Sequence, residues 1–390
     1  MRVVVLGASE NQEGCIHAAR RLGAEVVVVD PRNEVPGIRL ADRWIRCDAA
    51  ATREIIEALA GLEVDAVLTD QSDYTARAAA ALAIDLGVRA QDLDLVTACT
   101  NKLAMRERLV EEVPDLIPVF RHLPTPRQAR EYARSHPGRL VVKPILSQGS
   151  RGVSRIHSPG DLALIDAAFQ ESGGLGVLIE HAAVGREYSV DGYVSQGRLV
   201  PLGIAAKSHY ELNPCLDERC DFLLSEYAAV EEALLDAMHR IVAALRIPFG
   251  IVHAELISDG TDVTLVEIAL RGGGAGISSI IVPFLSGFDP AEALLRDLLG
   301  LPVPEPERDF RDRAAILRFL PMGTRGQPSH DLPVEGCLKV VVSESVATGG
   351  GRPASSADRP GLVIVGAEST ALAREREEKV LAGLGYRPGT

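Results

Sequence analysis

The sequence predicts a multidomain α/β protein, and three observations carry that prediction. Residues 1–95 alternate short β-branched runs with helical stretches. Later strands come instead as neighbours joined by tight turns, most clearly over residues 252–270. The chain has 390 residues and is 46% hydrophobic, enough for two or three domains with ample core.

Composition narrows the function classes. A net charge of −13 gives no bulk attraction to nucleic acid or an anionic membrane. The N-terminus begins on a strand-like run rather than a secretory signal, and no apolar run is long enough to span a bilayer. The six cysteines include no C-x-x-C pair, so structural zinc or a disulfide framework is not expected, and a reducing cytoplasm is. Of 41 basic residues, only Lys102, Lys143, Lys207, Lys339 and Lys379 are lysines. Arginine fills the general surface role, which draws attention to each lysine as a compact point charge.

In chain order, residues 2–7 read as a strand, 12–22 as a helix and 25–30 as a strand. Their continuous β-branched runs suit a parallel sheet covered on both faces. A helix over 52–62, a strand over 66–69 and a helix over 74–86 continue the alternation. The first turn, Gly7 to Gly14, lacks the G-x-G-x-x-G spacing. Ser9 and Gln12 stand where glycines are needed, which argues against a dinucleotide site with Asp30 on its ribose. Thr100 and Asn101 suit a cap for a helix over 102–112, ended by Pro114 and Pro118. A helix over 125–135 and a strand over 139–144 follow. A Gly/Ser loop at 147–152 then leads into residues 153–156 as a hairpin. A helix over 159–172 and strands over 176–180, 187–193 and 199–206 come next. Residues 207–226 read as a long polar loop, functional or mobile. The helix over 229–245 carries apolar residues at core spacing. A helix over 290–299 leads to a proline-rich break, and residues 310–390 return to strands and a final helix over 370–384.

The chemistry concentrates at a few positions. His253 and Glu255 share one strand face, and Glu267 can lie beside Glu255 across the hairpin ladder. Two facing carboxylates repel unless a cation sits between them, and hard oxygen ligands suit Mg²⁺ with phosphate and water completing its shell. The plain alternative is a surface hairpin with two solvated glutamates. Arg271 and the glycines 272–274 put a fixed cation beside backbone N–H groups, so Arg271 and Gly273 are candidate substrate contacts. Lys143 ends a strand before the loop holding Ser147, Gly149, Ser150 and Gly152. There backbone N–H groups can wrap phosphate oxygens while the ammonium neutralises them, and Lys102 adds a second point charge. Glu180, His181 and Ala182 end a strand in a connection suited to an adenine edge, with Glu187 accepting from ribose hydroxyls. Lys207 and His209, at the mouth of the long loop, are weaker candidates for substrate or phosphate contact. His253 reads as packed or as supporting a ligand. Glu10 and residues 70–73 end first-domain strands, where open α/β sheets bind ligands.

In this order, Lys102, Lys143, the glycine-rich loop, Glu180, Glu187, Glu255, Glu267 and Arg271 resemble the ATP-grasp superfamily, in its carboxylate–amine ligase branch. LGASENQEGCIHAARRLGAEVVVVD resembles the pre-ATP-grasp domain. TNKLAMRERL and VVKPILSQGSRGV look like the segments carrying the two ATP lysines and the phosphate loop. LIEHAAVGREYSVDG looks like the adenine hinge with its ribose-binding Glu, and HAELI…TLVEIALRGGG like the metal pair and following Arg. The resemblance implies an ATP-grasp fold. A Rossmann-like pre-ATP-grasp domain would span 1–95, and an ATP-grasp domain 96–300 with its lid near 120–185. A C-terminal α+β subdomain would span 301–390.

It implies ATP and Mg²⁺ (with Mn²⁺ as a substitute) and an acyl-phosphate reaction releasing ADP and phosphate. Arg271 and Lys143 would be the catalytic cations. The family usually places Asn two residues after the second metal Glu, as ligand to a second ion, whereas this chain has Ala269. The expected function is amide or peptide bond formation between a small-molecule carboxylate and an amine, on amino-acid-like substrates. The alternatives are a carboxylating or formyl-transferring enzyme of nucleotide-precursor metabolism, for which Arg32 and Arg39 are candidate phosphate contacts, or a non-catalytic nucleotide-binding protein. Homodimers are common among such relatives.

Overall fold

Valine runs at 3–5 and 26–29 put apolar side chains on both faces of a strand, and both faces are covered. In the computed structural model, which describes residues 1–136, 138–321, 334–342, 353 and 355–386, four strands form a parallel sheet. They are β1 (Arg2–Leu6), β2 (Glu25–Val29), β3 (Arg43–Ile45) and β4 (Ala66–Leu68), in the order β3-β2-β1-β4. Val3, Val5, Val26 and Val28 pack into one core, and Val4, Leu6, Val27 and Val29 into another. Sequence periodicity does not show β3, because three mostly exposed residues are too short a pattern to read.

A second, antiparallel sheet joins β5 (Phe120–Leu123), β6 (Leu140–Pro144), β7 (Ser154–Ile156) and β8 (Val177–His181) in the order β5-β8-β6-β7. Leu140, Val142, Val177 and Ile179 pack on one face with Ala129, Ile165 and Ala168 from the covering helices. Alternation therefore sends Lys143 and Glu180 to the opposite face. The Gly/Ser loop closes the β6–β7 hairpin, with Val142 opposite Ser154.

The third sheet has eight strands: β9 (Arg186–Ser195), β10 (Arg198–Tyr210), β11 (Asn213–Phe222), β12 (Gly250–Ser258), β13 (Val263–Ala269), β14 (Ala314–Phe319), β15 (Cys337–Val342) and β16 (Gly361–Ala367). Their order is β13-β12-β9-β10-β11-β14-β16-β15. The helix Glu231–Leu245 buries Leu234, Met238, Ile241, Val242 and Leu245 in the main core, as its spacing predicts.

One expectation is corrected here. Residues 207–226 are not a long loop. Residues 207–210 extend β10, and β11 returns beside it after a two-residue turn. Charged side chains hide the period of two, and register shifts near Ser208 and His209 break what remains. Among the described residues after 300, β14, β15 and β16 extend the central sheet. Among the described residues no helix is long and apolar enough to cross a membrane.

Candidate active site

All three sheets line one cleft of about 950 Å³. Its floor is the central sheet. The β12–β13 register places Glu255 directly opposite Glu267, and Gly260 makes the connecting turn at φ +103°. Both carboxylates face the cleft. Lys102 begins the helix Lys102–Leu109, capped by Asn101. Its ammonium donates to Ser147 O at 2.6 Å and stands 3.4 Å from Glu267. Lys143 reaches Glu180 at 2.7 Å.

Glu180 is held in the cleft by two cations. Arg106 Nε donates to it at 2.7 Å while Arg106 Nη2 donates to Val266 O at 2.9 Å. Burial opposes ionisation of Glu180, but the Arg106 guanidinium and Lys143 ammonium overcome it and hold its carboxyl at about 2. Arg106, only 1% exposed, thereby ties the second sheet to β13. The sequence reading passes over it. The available signal was its position one helical turn after Lys102, on the same face.

The loop after β6 needs special backbone. Gly149, Ser150 and Gly152 have φ of +66°, +59° and +70°. Ser147, Gly149 and Ser150 line the cleft, and the buried Ser147 hydroxyl has no hydrogen-bond partner among the described residues. Gly152 does not line it. A Cβ there would meet Pro144 Cγ at 2.8 Å, so this glycine serves close packing. Ser356 N donates to Gly149 O at 3.0 Å, so a C-terminal turn rests on this loop.

His181 and Ala182 line the cleft, as does Glu187. Lys207 lines it too, but its ammonium is surrounded by Glu187 at 3.0 Å, Asp217 at 3.3 Å and Glu255. His209 lies behind, outside the lining, against Glu187 at 3.0 Å and Asp217 at 3.5 Å. Burial works against protonation of His209, yet the neighbouring Glu187 raises it above the ordinary value. His253 pairs with Asp191 at 2.8 Å and stands 3.9 Å from Glu255. Although burial opposes its charge, these acids push it up to about 9.

The N-terminal sheet contributes from its strand ends. Asp30 accepts from Ala8 N at 2.9 Å and from both Arg32 Nε and Nη2, fixing the Arg32 guanidinium at the cleft. Gln71 sits at φ +61° with its buried Oε1 unpartnered among the described residues. Arg271 lines the cleft and donates to Asp73 at 2.5 Å. Asp70 is buried beneath. It accepts from Gly272 N and Ser278 Oγ, each at 2.6 Å, and burial still raises its carboxyl above the usual range. Gly273 packs against Ile277 and His253 rather than lining the cleft. Glu10 pairs with Lys339, and neither Glu10 nor Arg39 is part of the lining. Arg359, absent from the sequence reading, does line it. It stacks 3.5 Å over the Phe319 ring and donates to Asp217 O.

Two lysines and a glycine loop thus stand over a sheet with paired carboxylates. Residues 137–279 match the ATP-grasp domain family. Its sequence is 28% identical over 328 residues to the formate-dependent phosphoribosylglycinamide formyltransferase of Nitratidesulfovibrio vulgaris, covering 78% of this chain and 76% of that one. Its fold matches an N5-carboxyaminoimidazole synthase from Aspergillus clavatus with a TM-score of 0.76 at 17% identity, covering 99% of both chains. The L-amino acid ligase from Bacillus licheniformis matches at 0.74 and 19%, covering 97% of both.

Proposed function

We propose that this chain is an ATP-dependent, ADP-forming ligase that activates a carboxylate as an acyl phosphate and passes it to an amine. The observation that carries this reading is the Glu255–Glu267 pair, opposed across one ladder and facing the cleft that Lys102 and Lys143 enter from the other side. An all-oxygen donor set of two carboxylates fits Mg²⁺, which would neutralise phosphate charge when bound there. The residues' own contributions follow from their positions. Lys102, Lys143 and the backbone of residues 147–150 hold phosphate oxygens, and the strand-end turn at 180–182 takes the adenine edge. Arg271 offers a guanidinium to the substrate carboxylate.

A carboxylate oxygen attacks the γ-phosphorus and the bond to the ADP oxygen breaks. The amine nitrogen then attacks the acyl carbon, inorganic phosphate leaves, and the amine loses its proton. Phosphoryl transfer of this kind depends on positioning and charge neutralisation more than on a protein nucleophile. Covering the cleft excludes water, which would otherwise hydrolyse the acyl phosphate.

The substrate pair has two readings. Amino-acid-like substrates, expected from the sequence, are supported by the fold likeness to the L-amino acid ligase. A small carboxylate joined to a phosphoribosyl amine is favoured by the names of the sequence relatives and by Arg359, which offers the cleft a cation for a phosphate. The test is release of ADP and phosphate with hydroxamate formed when hydroxylamine replaces the amine. AMP and pyrophosphate as products would overturn the acyl-phosphate route. Comparing amino-acid pairs with formate or bicarbonate plus a phosphoribosyl amine separates the two substrate readings. ATP binding without ADP release from any of them would leave a non-catalytic nucleotide-binding protein.

A further inference from the structure

Lys207 has an unusual setting for a cleft lysine. Its side chain is 2% exposed, and its ammonium stands among carboxylates from three different strands: Glu187 on β9, Asp217 on β11 and Glu255 on β12. An ammonium has three N–H donors, and here three acceptors match them. Two donors go to Glu187 and Glu255, and Asp217 stands 3.3 Å away on a third side, so this lysine does not read as a substrate contact.

The surroundings of that ammonium have the make-up of a divalent-ion site. Ligand atoms of Glu187, His209 and Asp217 lie within 4.8 Å of one another, and Glu255 closes the fourth side through Lys207. Three carboxylates crowded on the floor of a buried cleft need a cation among them. The chain supplies that cation covalently. The register shifts beside His209 bring Asp217 back across from β10, completing the cage.

The other side of Glu255 points the same way. On β13 the position following Glu267 on the same face is Ala269, buried and without a ligand atom. Opposite it across the ladder is His253, whose Nδ1 is taken by Asp191 at 2.8 Å. β13 therefore offers one carboxylate, Glu267, and no second donor for another ion.

We propose that the Lys207 ammonium is a tethered cation occupying the place of a second divalent ion beside Glu255, so that this ligase works with a single metal ion, held by Glu255 and Glu267. Lys207 is thus a positioning residue. It fixes one Glu255 oxygen and leaves the other for the metal, and it holds Glu187 and Asp217 apart from each other's charge. The proposal rests on the ligase reading above.

The experiment counts Mn²⁺ bound per chain by electron paramagnetic resonance, with a non-hydrolysable ATP analogue present. The wild-type chain is expected to bind one ion with the nucleotide, and Lys207→Ala two, because the vacated cage of Glu187, His209 and Asp217 then takes a free ion. In Lys207→Ala, raising Mn²⁺ should also restore part of the lost turnover. A merely structural lysine would not produce that rescue. Two ions in the wild-type chain overturn the proposal, as does a folded, nucleotide-binding Lys207→Ala that still binds one. If Lys207→Ala does not fold, the wild-type count decides alone. Failure of the wild-type chain to bind nucleotide at all would instead overturn the ligase reading, so the two failures are distinct.

Discussion

The parallel N-terminal sheet and the eight-stranded central sheet meet the same cleft in different ways. The parallel sheet gives it only strand ends: Gly7 after β1, Asp30 after β2 and Gln71 after β4. The central sheet gives it mid-strand side chains, Glu187, Lys207, Glu255 and Glu267. The cause is coverage. Helices lie on both faces of the parallel sheet, so every interior strand position is apolar and chemistry is confined to the ends. The antiparallel sheet keeps one face open and can carry charge along it. The central-sheet groups are held in the strand ladder, Glu267 through β12 alone and the others by a strand on each side, whereas strand-end groups sit on connections that tolerate change. Damage to the floor should therefore abolish chemistry, and damage to the strand ends should alter selectivity.

The sharpest test is Glu267→Gln. Removing one carboxylate of the cross-ladder pair should lower turnover by roughly 10³-fold, with circular dichroism unchanged. Near-full ADP release in that variant would break the assignment of the floor. Next is Arg106→Met, which leaves Glu180 buried with only Lys143. Loss of such a partner costs about 3–5 kcal/mol, read as a lower midpoint in urea. Gly149→Ala comes third. The φ of +66° and a collision with Ser356 Oγ both oppose a side chain there. Strain of about 1–3 kcal/mol should appear mainly as a higher KM for ATP. On the other sheet, Gln71→Ala should raise KM for the second substrate by roughly tenfold, equivalent to about 1.4 kcal/mol, leaving KM for ATP unchanged. A larger change in KM for ATP would contradict the division of labour between the sheets.

The smallest effect concerns pH. His253 titrates near 9 when folded, against an ordinary value of 6.5. Its folded value is raised, so the stability it contributes is fully present below pH 6.5 and is lost as pH rises through 9. Asp191→Asn should bring the titration back down, which NMR of the imidazole measures. An unshifted titration in the wild-type chain would remove the charged pair.

Much of this comparison was legible in the sequence, for physical reasons that also mark its limit. The Glu255–Glu267 pairing could be read because both strands are apolar and Gly260 fixes the turn. The valine runs of β1 and β2 showed their sheet because nothing charged interrupts them. The β10–β11 pairing was not legible, because Lys207, His209, Asp217 and Arg219 form their ion pairs in the fold and look like solvated loop residues in the sequence. Arg106 escaped because its partners lie 74 and 160 residues away. Gly152 and Gly273 drew attention as phosphate and substrate contacts, but their lack of a side chain serves packing.

The order of strands in the central sheet bears on how this protein is made. β16, formed by residues 361–367, lies between β14 and β15, both of which precede it in the chain. A ribosome therefore delivers the middle strand of that trio last, and β14 has an open edge until it arrives. The turn at Ser356 that rests on the loop at Gly149 emerges at nearly the same moment. The part of the cleft lining formed by residues 355–362 is therefore made after every other lining segment.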